Sequence, residues 1–371
     1  MKKILVFGMT ENPGGVESVI MNYYRKLDKN NFQFDFLCNT EIVAYEEEIK
    51  SLGGTIYRIK ARSKGRKEYY KQLKDFFAKN AKEYSAIWVN VCSLANIDYL
   101  IYAKKYGIDT RIIHSHNSQN MDGILRKILH IYNKCRIVKY ANIFWSCSDD
   151  AGKWFFNKKI LASKDYRVIN NAIDVQKFKF NEEIRRQYRE EFDLKDNFVI
   201  GNIGRFHFQK NQVFLLEIFD EIVKMKENSK LLLVGQGEDE SKLKQIVKEK
   251  KLENKVIFLG VRNDVENILQ CMDIFVFPSV FEGLGLVLVE AQASALSIIA
   301  SKKVIPDLVK MQDEFIFKSL ECSPKDWAKD IIGMDTTIEA RKNRKNQIKE
   351  KGYDINEEIK KMESFFIGMK N

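Results

Sequence analysis

Residues 273–300, DIFVFPSVFEGLGLVLVEAQASALSIIA, leave the chain few folds to choose from. Ile274 to Phe277 is an uninterrupted apolar run, as expected of a strand buried on both faces. Pro278 and Ser279 end it. Glu282, Gly283 and Gly285 follow in a turn, then apolar residues recur at helical spacing up to Ala295, and Ser297 to Ala300 reads as a second buried strand. Strand, glycine-bearing turn, helix and strand make half of a doubly wound α/β unit. Such sheets bind ligands at the carboxyl ends of their strands.

The turn therefore lies where a ligand is expected. Gly283 and Gly285 would let backbone N–H groups approach an anion at a helix N-terminus. Glu282 lies in the turn and Glu290 about two helical turns further on, so both can face one crevice and touch different parts of a long ligand. Carboxylates accept hydrogen bonds from hydroxyls, which suits a sugar or a ribose. Read alone, the two glutamates fit equally well as solvated charges near a helix start.

A chain of 371 residues is too long for one core and suits two domains, 1–175 with a C-terminal helix at about 355–371, and 176–354. No run of about 18 apolar residues exists to cross a membrane as a helix. MKKILVF at the start is too short in its apolar part for a secretion signal and reads as a first strand. The six cysteines show no metal-ligand spacing and read as reduced core thiols of a cytoplasmic protein.

Charge is unevenly spread. Arg58 to Phe180 holds 25 Lys+Arg against 10 Asp+Glu and the rest of the chain 37 against 41, so one segment carries the whole excess of +11. Phosphate-bearing partners follow, whether nucleotide, nucleic acid or anionic membrane, unless the lysines merely solvate the surface.

Four further segments can carry chemistry. Gly14 and Gly15 precede a helix and can set N–H groups against a phosphate. RIIHSHN ends a β-branched run with His114 and His116 at the functional edge of a sheet; no Cys, Asp or Glu nearby completes a metal shell. Arg205 and Lys210 flank one strand-to-helix loop, an arrangement suited to gripping a diphosphate. A later turn holds Gly235 and Gly237, and GVRND, with Val261 and Arg262, ends the next strand. In MDGILRKILHIYNKCRIVKYANIFW, Ile124, Leu125, Ile128, Leu129 and Tyr132 share one side, interleaved with Arg126, Lys127, Lys134, Arg136 and Lys139. That pattern describes a helix lying on an anionic membrane, and also one packed on a sheet with a solvated face.

FPSVFEGLGLVLVEA resembles the E-x7-E element of retaining glycosyltransferases of the GT4 family, and G-R-x5-K at Gly204 to Lys210 resembles that family's phosphate clamp. HSHN is similar to exopolysaccharide and capsule members, and NNAID followed by a basic-aromatic segment is similar to the linker between the two halves. The likeness spans nearly the whole chain. It departs at Ala295 and Ser297, where the family usually has Gly and Pro.

The resemblance implies a GT-B fold, two Rossmann-like doubly wound domains facing a central cleft, with the acceptor on the first and the nucleotide sugar on the second. It implies that Glu282 contacts the transferred sugar, Glu290 the ribose, Arg205, Lys210 and Gly15 the diphosphate, and Val261 and Arg262 the base. Gly283, Leu284 and Gly285 complete the donor site. His116 would orient the sugar, with His114 as second choice and Gly14 and Gly235 as further candidates. No metal or other cofactor is implied. The expected reaction moves a hexose or N-acetylhexosamine, from UDP, to a lipid-diphosphate-linked glycan at the inner face of the plasma membrane, with no nucleic acid involved. A dinucleotide-dependent dehydrogenase lacks its G-x-G-x-x-G after the first strand. A sugar phosphorylase would share the clamp, and a nucleic-acid binder would leave the glutamates without a task.

Overall fold

The computed structural model describes residues 1–117, 123–282 and 284–369. The chain divides into two compact units, Met1–Ile173 with Asp354–Asn371, and Asp174–Tyr353.

In the first unit β1 (Lys2–Phe7), β2 (Phe32–Cys38), β3 (Ile56–Arg58), β4 (Tyr84–Val91), β5 (Thr110–Ser115), β6 (Ile143–Ser146) and β7 (Tyr166–Val168) form one parallel sheet. Its order is β3-β2-β1-β4-β5-β6-β7. All seven residues of FQFDFLC in β2 are buried, as a parallel strand covered by helices on both faces requires. Leu5, Ile87, Val89 and Ile113 meet Tyr69, Leu73, Phe77 and Leu100 in one core. The last helix, Ile355–Ile367, returns to this unit: Ile355 N–H donates to Ile173 O at 2.9 Å, and Phe366 lies against Phe32 and Phe34. Lys2 closes that helix's end, its ammonium donating to the carbonyls of Phe366, Ile367 and Met369 at 3.1, 3.2 and 2.7 Å.

The second unit holds β8 (Phe198–Ile203), β9 (Ser229–Val234), β10 (Val256–Gly260), β11 (Ile274–Phe277), β12 (Ser297–Ser301) and β13 (Phe315–Lys318), all parallel, in the order β10-β9-β8-β11-β12-β13. The order reverses between β8 and β11, and a doubly wound sheet binds its ligand in the crevice at such a point. The organising stretch folds as expected, with all four residues of β11 buried and a helix over Leu286–Ala293.

Two expectations need correction. The helix ends at Ala293, not Ala295, because Leu296 N–H turns back to Ala291 O and Ala295 N–H to Gln292 O, a Schellman closure that puts Ala295 at φ 54°. Only Cys38, Cys147 and Cys271 are buried, while Cys92 and Cys135 are exposed and Cys322 is intermediate, so the core-thiol reading holds for half of them. Hydropathy of neighbouring residues does not tell which side of an element a thiol takes.

Candidate active site

The loop after β8 and the loop after β11 flank the crevice, and three consecutive residues join them. Gln209 Nε2 donates to Phe281 O at 3.0 Å while its own carbonyl accepts from Val280 N–H at 2.7 Å. Lys210 Nζ reaches Glu282 Oε1 at 2.6 Å. Asn211, at φ 56°, donates from Nδ2 to Pro278 O at 3.1 Å and starts the helix Gln212–Met225. The Lys210–Glu282 pair is well shielded, with side-chain exposures of 18% and 7%, and the ammonium also lies 4.8 Å from the centre of the Phe277 ring. Gly204 makes room for this lysine, since a Cβ there would come 3.2 Å from Lys210 Cε.

Arg205 lies on the other flank of the same loop. It meets Glu238 at 3.1 Å, and His207 Nε2 meets the same carboxylate at 3.3 Å. Here the glycines are explained by the fold itself. A Cβ on Gly235 would lie 2.2 Å from Gly204 O and one on Gly237 2.2 Å from Phe206 O, so only glycine lets the loop after β9 lie against the loop after β8 and bring Glu238 to Arg205. Arg205 and Glu238 are 69% and 48% exposed, which makes theirs a solvent-screened contact.

Glu290, on the helix Leu286–Ala293, is held in a different electrostatic setting. Burial first, and then the carboxylate of Glu266, push its pKa up to about 7, with Lys177 pulling the other way. Lys177 Nζ is bonded to Glu266 at 2.9 Å. Leu284 is buried and Gly285 caps the helix at φ 73°. Gly283 lies outside the described residues. Past β10, Val261 is exposed, whereas Arg262 forms a two-point pair with Asp264 at 2.8 and 2.6 Å. The second unit thus gathers Arg205, Lys210, Glu282 and Gly285 on loops at the ends of adjacent strands.

The sequence profile of the family described as glycosyl transferases group 1 matches residues 184–353. Over 309 residues the chain is 30% identical to the Bacillus subtilis (strain 168) protein named as glycosyltransferase EpsF, covering 82% of this chain and 80% of that one. The chain is a group 1 glycosyltransferase of GT4 type. It is 35% identical over 138 residues, 36% of each chain, to an Escherichia coli protein named UDP-Gal:alpha-D-GlcNAc-diphosphoundecaprenol alpha-1,3-galactosyltransferase. Its fold matches the crystal structure of Anabaena Alr3699/HepE in complex with UDP and glucose, with a TM-score of 0.80 at 18% identity, over 99% of this chain and 100% of that one. The fold is GT-B.

In the first unit of the glycosyltransferase, Gly14 caps the helix Gly15–Lys26. A Cβ at Gly15 would meet nothing within 4 Å. One at Gly14 would come 2.8 Å from Glu17 Oε2. Glu17 is buried, accepts from Thr10 Oγ1 at 2.6 Å and from backbone of the same loop, and burial raises its pKa. The chain's own carboxylate therefore meets part of this helix start, which the glycine pair did not reveal.

His114 and His116 lie with ring centres 4.1 Å apart and tilted by 44°, but neither is an open base. Trp88 Nε1 donates to His114 Nδ1 at 3.3 Å in a fully buried position. His116 Nε2 meets Asn90 Oδ1 at 2.9 Å, and because Asn90 Nδ2 already donates to Phe7 O, the histidine is the donor. Its Nδ1 is buried with no partner among the described residues, and burial pushes its pKa down to about 3. The glycosyltransferase thus holds His116 as a neutral imidazole. Residues 118–122, next in the loop, lie outside the described residues.

The helix Ile124–Arg136 is turned the opposite way from a core helix. His130 and Asn133 face inward, where His130 Nδ1 accepts from Leu94 N–H at 3.1 Å and Asn133 Nδ2 donates to Leu94 O at 2.7 Å. Ile124, Leu125, Ile128, Ile131 and Tyr132 are each more than half exposed. Sequence reading missed Gln209, Asn211 and Glu238 at the site, and their polar types beside strand ends are the only local signal that could have drawn notice.

Proposed function

We propose that this glycosyltransferase moves a hexose or N-acetylhexosamine from a UDP-linked donor, with retention at the anomeric carbon, to a glycan acceptor carried on a lipid diphosphate. The observation that carries the reading is the approach of Lys210 to Glu282 within 2.6 Å across the strand-order reversal. A cation for a diphosphate and a carboxylate for sugar hydroxyls stand together where a doubly wound sheet receives its ligand.

In this reading the bond from the sugar's anomeric carbon to the diphosphate breaks as the acceptor oxygen bonds to the same face, and the acceptor proton goes to a departing phosphate oxygen. Lys210 and Arg205 meet the charge that builds on the leaving group, so the proposal calls for no cofactor. Glu282 holds the sugar, Glu290 the ribose, and Val261 and Arg262 lie toward the base. Gly15 and His116 keep the roles the resemblance gives them.

The acceptor class is supported by the name of the E. coli relative. It is supported also by the helix Ile124–Arg136, whose apolar side faces out and which belongs to a stretch, Gly123 to Ser148, without a single acidic residue. Each basic residue near an anionic membrane surface adds about 1 kcal/mol of attraction. The proposal therefore places the enzyme peripherally on the inner face of the plasma membrane. The direct test is incubation with a panel of nucleotide sugars and short polyprenyl-diphosphate-linked acceptors. Transfer from a UDP-sugar with retained configuration is expected, and cleavage by inorganic phosphate without any nucleotide would replace the reading with that of a phosphorylase.

A further inference from the structure

Both cations at the β8 loop are held by acidic residues of the flanking loops, and the two pairs differ in burial. Arg205–Glu238 is 69% and 48% exposed. A pair so exposed to solvent is screened and opens easily. Lys210–Glu282 is 18% and 7% exposed, lies on the Phe277 ring, and has backbone-linked neighbours on both sides at Gln209 and Asn211. Removing either member leaves a shielded charge without its counterpart.

We propose that Glu282, beyond holding the sugar, is an internal competitor for Lys210 that expels the nucleoside diphosphate once the sugar has left. The inference rests on the donor site proposed above. A diphosphate brings more negative charge to the ammonium than one carboxylate does, so its arrival loosens Glu282, whose oxygens are then satisfied by the hydroxyls of the attached sugar. Sugar and diphosphate together lose nothing by opening the pair. After transfer the sugar is gone, Glu282 is a shielded carboxylate lacking partners, and closing again on Lys210 is its best contact. The bonds of Gln209 and Asn211 to residues 278–281 keep the two loops at one spacing, so the exchange needs only side-chain movement.

The consequence is a sign that a purely structural or purely sugar-binding role would not give: removing the carboxylate should tighten the product. Titration calorimetry with UDP, GDP and ADP on the whole protein and on Glu282→Gln is expected to show about tenfold tighter diphosphate binding in the variant, matching roughly 1.4 kcal/mol for the lost competitor. Glu282→Ala should act in the same direction, which guards against a new bond made by the glutamine amide or poor folding of either variant. Glu238→Gln, at the solvent-screened pair with Arg205, should raise diphosphate affinity by a smaller factor than either Glu282 variant. Nucleotide-sugar binding should gain less than free diphosphate in both Glu282 variants. Equal or weaker diphosphate binding in folded Glu282 variants, with normal binding by the parent, overturns the competitor role and leaves the donor site standing. A parent protein that binds none of the three diphosphates overturns the donor site and the inference with it.

Discussion

Arg185 and Arg341 converge on the same two carbonyl oxygens, those of Gln270 and Met272, at 3.0 and 2.8 Å from the first and 3.1 and 2.7 Å from the second. Arg341 also reaches Leu269 O and Ser294 O at 2.9 Å each, and Arg189 takes Cys271 O at 2.9 Å. Three buried guanidinium groups thus close the end of the helix Val265–Cys271, with Asp273 bonded to Arg185 and Arg189. Cations at a helix C-terminus meet its partial negative charge and its orphan carbonyls. Arg341→Met should take the guanidinium from the carbonyls of Leu269 and Ser294, leave Gln270 O and Met272 O to Arg185, and lower the stability of the second unit by roughly 3 kcal/mol, read by urea unfolding.

Lys210→Ala removes the charge facing the leaving group and strands Glu282. Turnover should fall about 100- to 1,000-fold. A rate within threefold of the parent would discard the lysine's part in the chemistry.

Gln209→Ala deletes the bond to Phe281 O but keeps the backbone bond to Val280. The expected result is a rise of about threefold to tenfold in KM for the donor with a small change in melting temperature, since what is lost is the setting of one loop against another.

Glu290 titrates with its pKa raised to about 7 from an ordinary 4.5. The fold favours its neutral form, so that contribution to stability is whole below about pH 4.5 and is lost as pH rises through 7. Glu290→Gln, permanently neutral, should therefore gain stability over the parent between those values, by about 3 kcal/mol at the plateau. If the carboxylate receives ribose hydroxyls, UDP affinity should drop in the parent from pH 8 to pH 6 and stay level in the variant; parallel profiles would remove Glu290 from the nucleotide site.

Lys127→Gln combined with Ile128→Ser should lower partitioning onto phosphatidylglycerol vesicles without changing the fold, since Ile128 is 57% exposed. Unchanged sedimentation with vesicles would withdraw the membrane proposal.

Much of this was legible in the sequence because the relevant signals are local. The apolar run Ile274–Phe277 marked β11, and the spacing of Arg205 and Lys210 put both cations on the one loop that follows β8. Partnerships over long chain distances were not legible. Nothing near Glu238 says that it meets Arg205, and nothing near Arg341 says that it closes a helix some seventy residues earlier. Periodicity separates an inner from an outer face only when the apolar face is the inner one. In Ile124–Arg136 it is not, because His130 and Asn133 trade a buried apolar contact for both backbone bonds of Leu94.

Lys2 grips the carbonyls of Phe366, Ile367 and Met369, so β1 and the helix Ile355–Ile367 are fastened at one spot on the first unit. A proteolytic nick between the second unit and that helix would leave the helix seated on the first unit by this clamp and by the packing of Phe366 on Phe32 and Phe34.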